Sequence, residues 1–302
     1  MHSQDLQKLR KAFFALEKRS KKYYYIKAPH LRMMFMKISF IGAGNMAGAI
    51  IKSVINSGRI SPDCIYVYDK FEDKAESFVK LGVNKCESLC DAVSSSENIL
   101  LAVKPQDYDA LLKDIKSFGI DLSTKTFISI AAGISCEYVC DRLSCSCPVV
   151  RVMPNTPVML GLGAIAISRN AFVTDKMYSK ICTLFASCGC VCSLDESLMN
   201  KVIPVNGSSP VFVYMLAKSM IDKAVEYGIS EKNAKELVLQ TLKGSVEMLI
   251  SSGMSPDELI KMVASPAGTT IEAIKSLEED SYYEMMNRSM DKCANRADEL
   301  AR

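Results

Sequence analysis

The sequence predicts an α/β domain with a doubly wound, mostly parallel sheet over residues 37–195, followed by an all-α domain over 196–302. Three observations carry this. From Lys37 onward short apolar runs alternate with segments of helical period, the mark of βαβ units. A glycine-rich turn joins the first such run to an amphipathic helix. Beyond about residue 195 the strand signals stop and only helical periods remain.

The expected strands are 37–42 (KISFIG), 64–69 (CIYVYD), 98–103 (NILLAV), 125–131 (KTFISIA) and 148–152 (PVVRV), then 161–168 and 189–193. Helices are expected at 44–57, 71–81, 87–94, 106–118, 135–143 and 174–187. In the second domain they are expected at 195–204, 209–227, 230–252, 255–263, 269–279 and 281–300, punctuated by Gly228, Gly253, Pro256 and Ser265-Pro266.

Composition narrows the function. In 302 residues, 49% are hydrophobic and 24% charged, as in a globular protein able to bury a sizeable core. The net charge of +3 is unevenly spread: residues 1–36 hold nine basic and two acidic residues, a surplus of seven, so the remainder carries −4. A mildly acidic body offers no footprint for nucleic acid. The longest apolar runs fall short of the roughly 18 residues of a membrane span, and no secretory signal is evident. A soluble, cytoplasmic protein is expected, its twelve cysteines reduced and serving as small packing residues. Cys-x-x-Cys pairs are absent and the two histidines, His2 and His30, lie in the leader, so no metal site is expected. The leader has three readings: a targeting segment, a polyanion or membrane-surface arm, or an inert extension upstream of a start at Met36.

The first strand runs into Gly42-Ala43-Gly44-Asn45-Met46-Ala47, a G-x-G-x-x-A turn opening a helix. In that context it is the fingerprint of a dinucleotide-binding Rossmann domain. Gly42 makes the turn, Gly44 admits the pyrophosphate, and Ala47 lets the helix pack closely. The helix N-terminus presents free amides to the phosphates. Asp69, ending the second strand, stands where a carboxylate binds ribose hydroxyls, or it simply starts the next turn. Lys70 and Lys74 stand ready to grip a 2′-phosphate instead, so NADH and NADPH both remain open. Ala102-Val103-Lys104-Pro105 follows the 98–103 strand at the sheet's ligand-binding end.

Four runs together, GAGNMAGAI (42–50), AVKPQ (102–106), RVMPNTP (151–157) and SPAGTTIEAIKSLE (265–278), closely resemble the pyrroline-5-carboxylate reductase family. The resemblance covers Lys37 to the C-terminus. It implies reduction of 1-pyrroline-5-carboxylate to L-proline by hydride from NADPH or NADH, the last step of proline biosynthesis. It also implies that residues 42–47 hold the pyrophosphate, that Ala102 to Pro105 line the adenine-ribose and phosphate side, and that Ala131 and Ala132 flank the nicotinamide. Met153, Pro154, Asn155 and Thr156 would shape the floor beneath the reacting ring, with Asn155 near the substrate. Gly268, Thr269 and Thr270 would receive the substrate carboxylate, with Thr270 a candidate proton donor. The Met-rich helices would interlock with a second copy in a homodimer or an assembly of dimers, and the substrate pocket would be completed between subunits.

Two loops depart from the family pattern: Asn206-Gly207-Ser208-Ser209-Pro210 stands for Ser-Gly-Ser-Gly-Pro, and Ala267 for a glycine. On spacing alone Thr269 and Thr270 serve equally well as helix caps. Two other readings compete. A β-hydroxyacid dehydrogenase would need a lysine soon after Gly207, but Lys218 is the first. A non-catalytic cofactor-binding protein would not need the SPAGTT and MPNTP loops.

Overall fold

The computed structural model describes residues 36–265 and 268–301; the leader before Met36, Pro266 and Ala267 lie outside the described residues. Residues 36–210 with 290–301 form one compact unit, and 211–289 another.

In the first unit eight strands form one sheet in the order β3-β2-β1-β4-β5-β6-β7-β8. They are β1 (Ile38–Ile41), β2 (Ile65–Tyr68), β3 (Asn84–Lys85), β4 (Asn98–Leu101), β5 (Thr126–Ser129), β6 (Val149–Met153), β7 (Gly163–Arg169) and β8 (Gly189–Ser193). All neighbours run parallel except β6 and β7. The chain reverses its winding at β1, which pairs with β2 on one side and β4 on the other. Ligands of such sheets bind in the crevice at that switch point.

Helices α1 (Asn45–Asn56), α2 (Glu72–Val79), α3 (Leu89–Ser95), α4 (Tyr108–Ser117), α5 (Cys136–Leu143) and α6 (Asp175–Phe185) cover both faces. One core gathers Ile38, Phe40, Ile50, Ile51 and Val54; the other gathers Ile41, Ile99, Leu101, Leu112 and Val139. Covering both faces explains why the strands read as continuous apolar runs. Each fully buried Ile or Val contributes roughly 1.5–3 kcal/mol, so α1 is held by Ile50, Ile51 and Val54, all 0% exposed.

Two local expectations differ from the structure. The two-residue β3 has no period of its own and exists because its polar residues pair with Tyr66 and Val67. The helix expected at 195–204 is instead a single 3-10 turn at Glu196–Leu198 and a π turn at Ile203–Gly207. Pro204 is the physical reason: it lacks an amide hydrogen and its ring crowds the carbonyl four residues back, so an α-helix cannot run through it.

Helices α7 (Pro210–Glu226), α8 (Glu231–Ser251), α9 (Pro256–Val263), α10 (Thr269–Glu279) and α11 (Tyr282–Glu299) follow. The second unit holds α8 to α10, most of α7 and the start of α11. No residue of α7 is buried, and Tyr214, Met215, Tyr227, Leu237 and Val263 are all more than half exposed. Among the described residues no helix is long and apolar enough to cross a membrane.

Candidate active site

The turn after β1 is built by Gly42. Its φ of +101° lies in the region that disfavours side chains, and a Cβ there would sit 2.8 Å from the Ala102 carbonyl oxygen. That contact places the 42–47 loop against the segment after β4. Asp69 braces the turn from β2: one carboxylate oxygen accepts from the Ala43 amide at 2.7 Å and the other from the Phe71 amide at 2.9 Å. The carboxylate expected at the ribose thus also holds the loop backbone in place.

Gly44 caps α1 with no side-chain hydrogen bond, and the first turn of α1 carries no acidic residue. Its free amides and the positive end of the helix dipole are therefore left for an anion. A Cβ on Gly44 would meet nothing within 4 Å, so the space above it is open.

A cleft of about 410 Å³ opens here, lined by Gly42, Gly44, Asp69, Lys70, Phe71, Lys74, Leu89, Ala102, Val103, Lys104 and Leu111, among others. Lys70 and Lys74 hold their ammonium groups 5.5 and 4.6 Å from the centre of the Phe71 ring. Open space over Gly44, unsatisfied helix amides, three lysines and apolar walls fit the phosphates and adenine of a dinucleotide.

The other expected cofactor residues lie on neighbouring segments. Ala131 is buried just past β5 and Ala132 half-buried beside it; Met153 ends β6 and is 8% exposed; Pro154 is buried. Thr156 is exposed. Asn155 is turned into the protein: its amide nitrogen donates to the Asn206 carbonyl at 3.1 Å, and its oxygen accepts from the Ala164 amide at 2.9 Å. Its carboxamide thus ties the turn at Asn206 to the start of β7.

In the helical unit, Gly268 caps α10 without a side-chain bond, so Thr269 and Thr270 are not its caps and occupy its first turn. A Cβ on Gly268 would lie 2.2 Å from the Ser265 hydroxyl, which would have to turn aside to admit it. Thr269 is exposed and Thr270 half-buried.

Sequence reasoning missed one charged network. Arg151, on β6, is 5% exposed. It lies 3.9 Å from the Glu196 carboxylate and donates to the Asn200 side-chain oxygen. Burial lowers the pKa of its guanidinium, against the opposing pull of Glu196. Glu196 also accepts from the Cys136 amide at 2.6 Å. Asn200 continues to Asp298, which pairs with Lys201 at 2.7 Å. The available signal was an arginine inside an otherwise apolar strand, PVVRV.

Comparison with known proteins decides the family. Residues 196–300 match the family described as Pyrroline-5-carboxylate reductase dimerisation, and 37–133 the one described as NADP oxidoreductase coenzyme F420-dependent. Pyrroline-5-carboxylate reductase of Escherichia coli K12 is 34% identical over 271 residues, covering 89% of this chain and 100% of that one. The chain belongs to the pyrroline-5-carboxylate reductase family. The Methanosarcina acetivorans reductase is 35% identical over 267 residues, covering 88% of this chain and 98% of that protein. The Plasmodium falciparum pyrroline carboxylate reductase with NADP bound superimposes with a TM-score of 0.82 at 28% identity, covering 89% of this chain and all of that one. The chain thus carries the sheet domain and the dimerisation domain of a pyrroline-5-carboxylate reductase.

Proposed function

We propose that this chain, as a pyrroline-5-carboxylate reductase, reduces 1-pyrroline-5-carboxylate to L-proline by dividing the work between the cleft at β1 and the first turn of α10. NAD(P)H bound in the cleft supplies the hydride that adds to the ring C=N carbon. The carrying observation is the paired capless helices: α1 and α10 both begin at a glycine with no side-chain cap bond. Two helix N-termini whose amides no side chain satisfies suit two anions, a pyrophosphate and a carboxylate.

Residues 42–47 hold the pyrophosphate, Ala102 to Pro105 line the phosphate and adenine side, and Ala131 and Ala132 flank the nicotinamide. Met153 and Pro154 form the floor, with Asn155 supporting it. Gly268 and Thr269 bind the substrate carboxylate, and Thr270 presents its hydroxyl to the substrate. With no histidine in the sequence after His30, the ring nitrogen takes its proton from the Thr270 hydroxyl or from water. A protonated imine is electrophilic enough to accept hydride without a stronger acid.

Thr270→Val keeps the shape and removes the hydroxyl. It is expected to raise the KM for pyrroline-5-carboxylate and lower kcat/KM by about tenfold or more, on the order of 1.5 kcal/mol for a hydrogen bond to a charged group. Wild-type kcat and KM would end both roles for Thr270.

Lys70 and Lys74 favour NADPH, because both ammonium groups flank the cleft beside Phe71 while Asp69 is occupied by backbone amides. Lys70→Ala combined with Lys74→Ala is expected to cut kcat/KM for NADPH at least tenfold and leave NADH within about twofold. Equal losses with both cofactors would remove the lysines from 2′-phosphate recognition.

The bare apolar faces of the helical unit fit a homodimer or an assembly of dimers, with the substrate pocket completed between subunits. Light scattering is expected to give an even multiple of 33.3 kDa; a monomer at micromolar concentration would count against it. Twelve cysteines with no disulfide among the described residues suit a reducing compartment such as the cytoplasm.

A further inference from the structure

We propose that Asn206 is a positioning residue for hydride transfer: its side-chain amide clamps the segment that floors the nicotinamide. The inference rests on the reading of Met153 and Pro154 as that floor.

The π turn at Ile203–Gly207 places Asn206 inward, where it is 6% exposed. Its amide nitrogen donates to the Met153 carbonyl at 2.8 Å and to the Ala164 carbonyl at 2.9 Å. Asn155 closes the clamp, donating to the Asn206 carbonyl and accepting from the Ala164 amide. One side chain therefore ties the end of β6, the start of β7 and the π turn together. Serine, which the family pattern has at this place, carries one hydroxyl hydrogen and could not make both donations.

The clamp carries a cost. The Asn206 side-chain oxygen is buried with no partner. Exchanging its oxygen and nitrogen would aim the oxygen at two carbonyls, so the donations fix the orientation. A buried acceptor left unpaired is unfavourable, and the two donations from the same side chain offset it. The cost is explained if both donations are needed to hold Met153 still. The single π turn, a form that recurs at functional sites, points the same way.

Hydride transfer depends steeply on donor–acceptor placement, and a shift of about 1 Å costs up to about a hundredfold. Asn206→Ala and Asn206→Ser are compared with wild type in the full-length oligomer, with melting temperature and circular dichroism confirming the fold. The readouts are kcat, the NADPH dissociation constant, and the isotope effect with NADPH deuterated at the transferred position. Asn206→Ala is expected to lower kcat about tenfold or more, change the NADPH constant less than threefold, and raise the isotope effect as hydride transfer becomes limiting. Asn206→Ser, with one donor, falls between, and carries the comparison if the alanine variant does not fold. Folded variants with wild-type kcat and isotope effect would overturn the proposal, as would a fall in kcat that follows melting temperature with an unchanged isotope effect. Met153→Ala, run alongside, separates the two readings: wild-type kinetics there would overturn the floor and the clamp's role with it, whereas a slow Met153→Ala beside a normal Asn206→Ala would overturn the clamp alone.

Discussion

Gly42→Ala is expected to weaken NADPH binding at least a hundredfold and to remove measurable reductase turnover. The added Cβ would lie 2.8 Å from the Ala102 oxygen and 2.9 Å from its carbonyl carbon, both backbone atoms between β4 and the cleft wall. Neither can rotate away, so the two sides of the cleft must part. The φ of +101° adds strain of about 1–2 kcal/mol. The amides proposed to meet the pyrophosphate are carried by that loop, and a hundredfold loss needs only about 2.7 kcal/mol. Gly44→Ala makes the contrast. Its Cβ would touch no protein atom within 4 Å, so the melting temperature is expected to stay near wild type while the methyl blocks the ligand's approach. Fluorescence titration with NADPH alongside thermal melting checks both. A Gly42→Ala protein binding NADPH within threefold of wild type would refute the assignment of this turn.

Glu196→Ala is expected to destabilise the protein by about 3 kcal/mol, because it strands the buried charge of Arg151 and leaves the Cys136 amide without its acceptor. At about 2–4 °C per kcal/mol the melting temperature falls roughly 6–12 °C, compared at fixed protein concentration because a chain with a dimerisation domain is expected to assemble. Arg151→Met is expected to cost less, about 1 kcal/mol. It removes the buried charge while filling its volume, and Glu196, with its side chain 32% exposed, can turn to water. Denaturant melts of the two variants decide the matter. If Arg151→Met were the more damaging, the arginine's own contacts, and not the stranding of its charge, would dominate the network.

Much of the fold was legible because its signals are local. The apolar runs around Ile38, Ile65, Ile99 and Phe127 announce strands buried on both faces, and Gly42 to Ala47 announce a turn that only small residues can make. The cleft residues after β1, β2 and β4 follow from that order, since a doubly wound sheet opens at its switch point. The helix expected at 195–204 is replaced by tighter and wider turns, because periodicity is blind to the one missing amide hydrogen of Pro204.

What the sequence determined by itself is therefore the layered α/β architecture, the dinucleotide turn and the family, each written in residues close together along the chain. What only the tertiary structure decided is what holds the site still. Asn206 meets Met153 across 53 positions and Ala164 across 42, and Arg151 meets Asn200 across 49. Hydrogen bonds of that span leave no periodic trace, because they satisfy buried polar groups wherever the packed strands happen to bring a donor and an acceptor within reach.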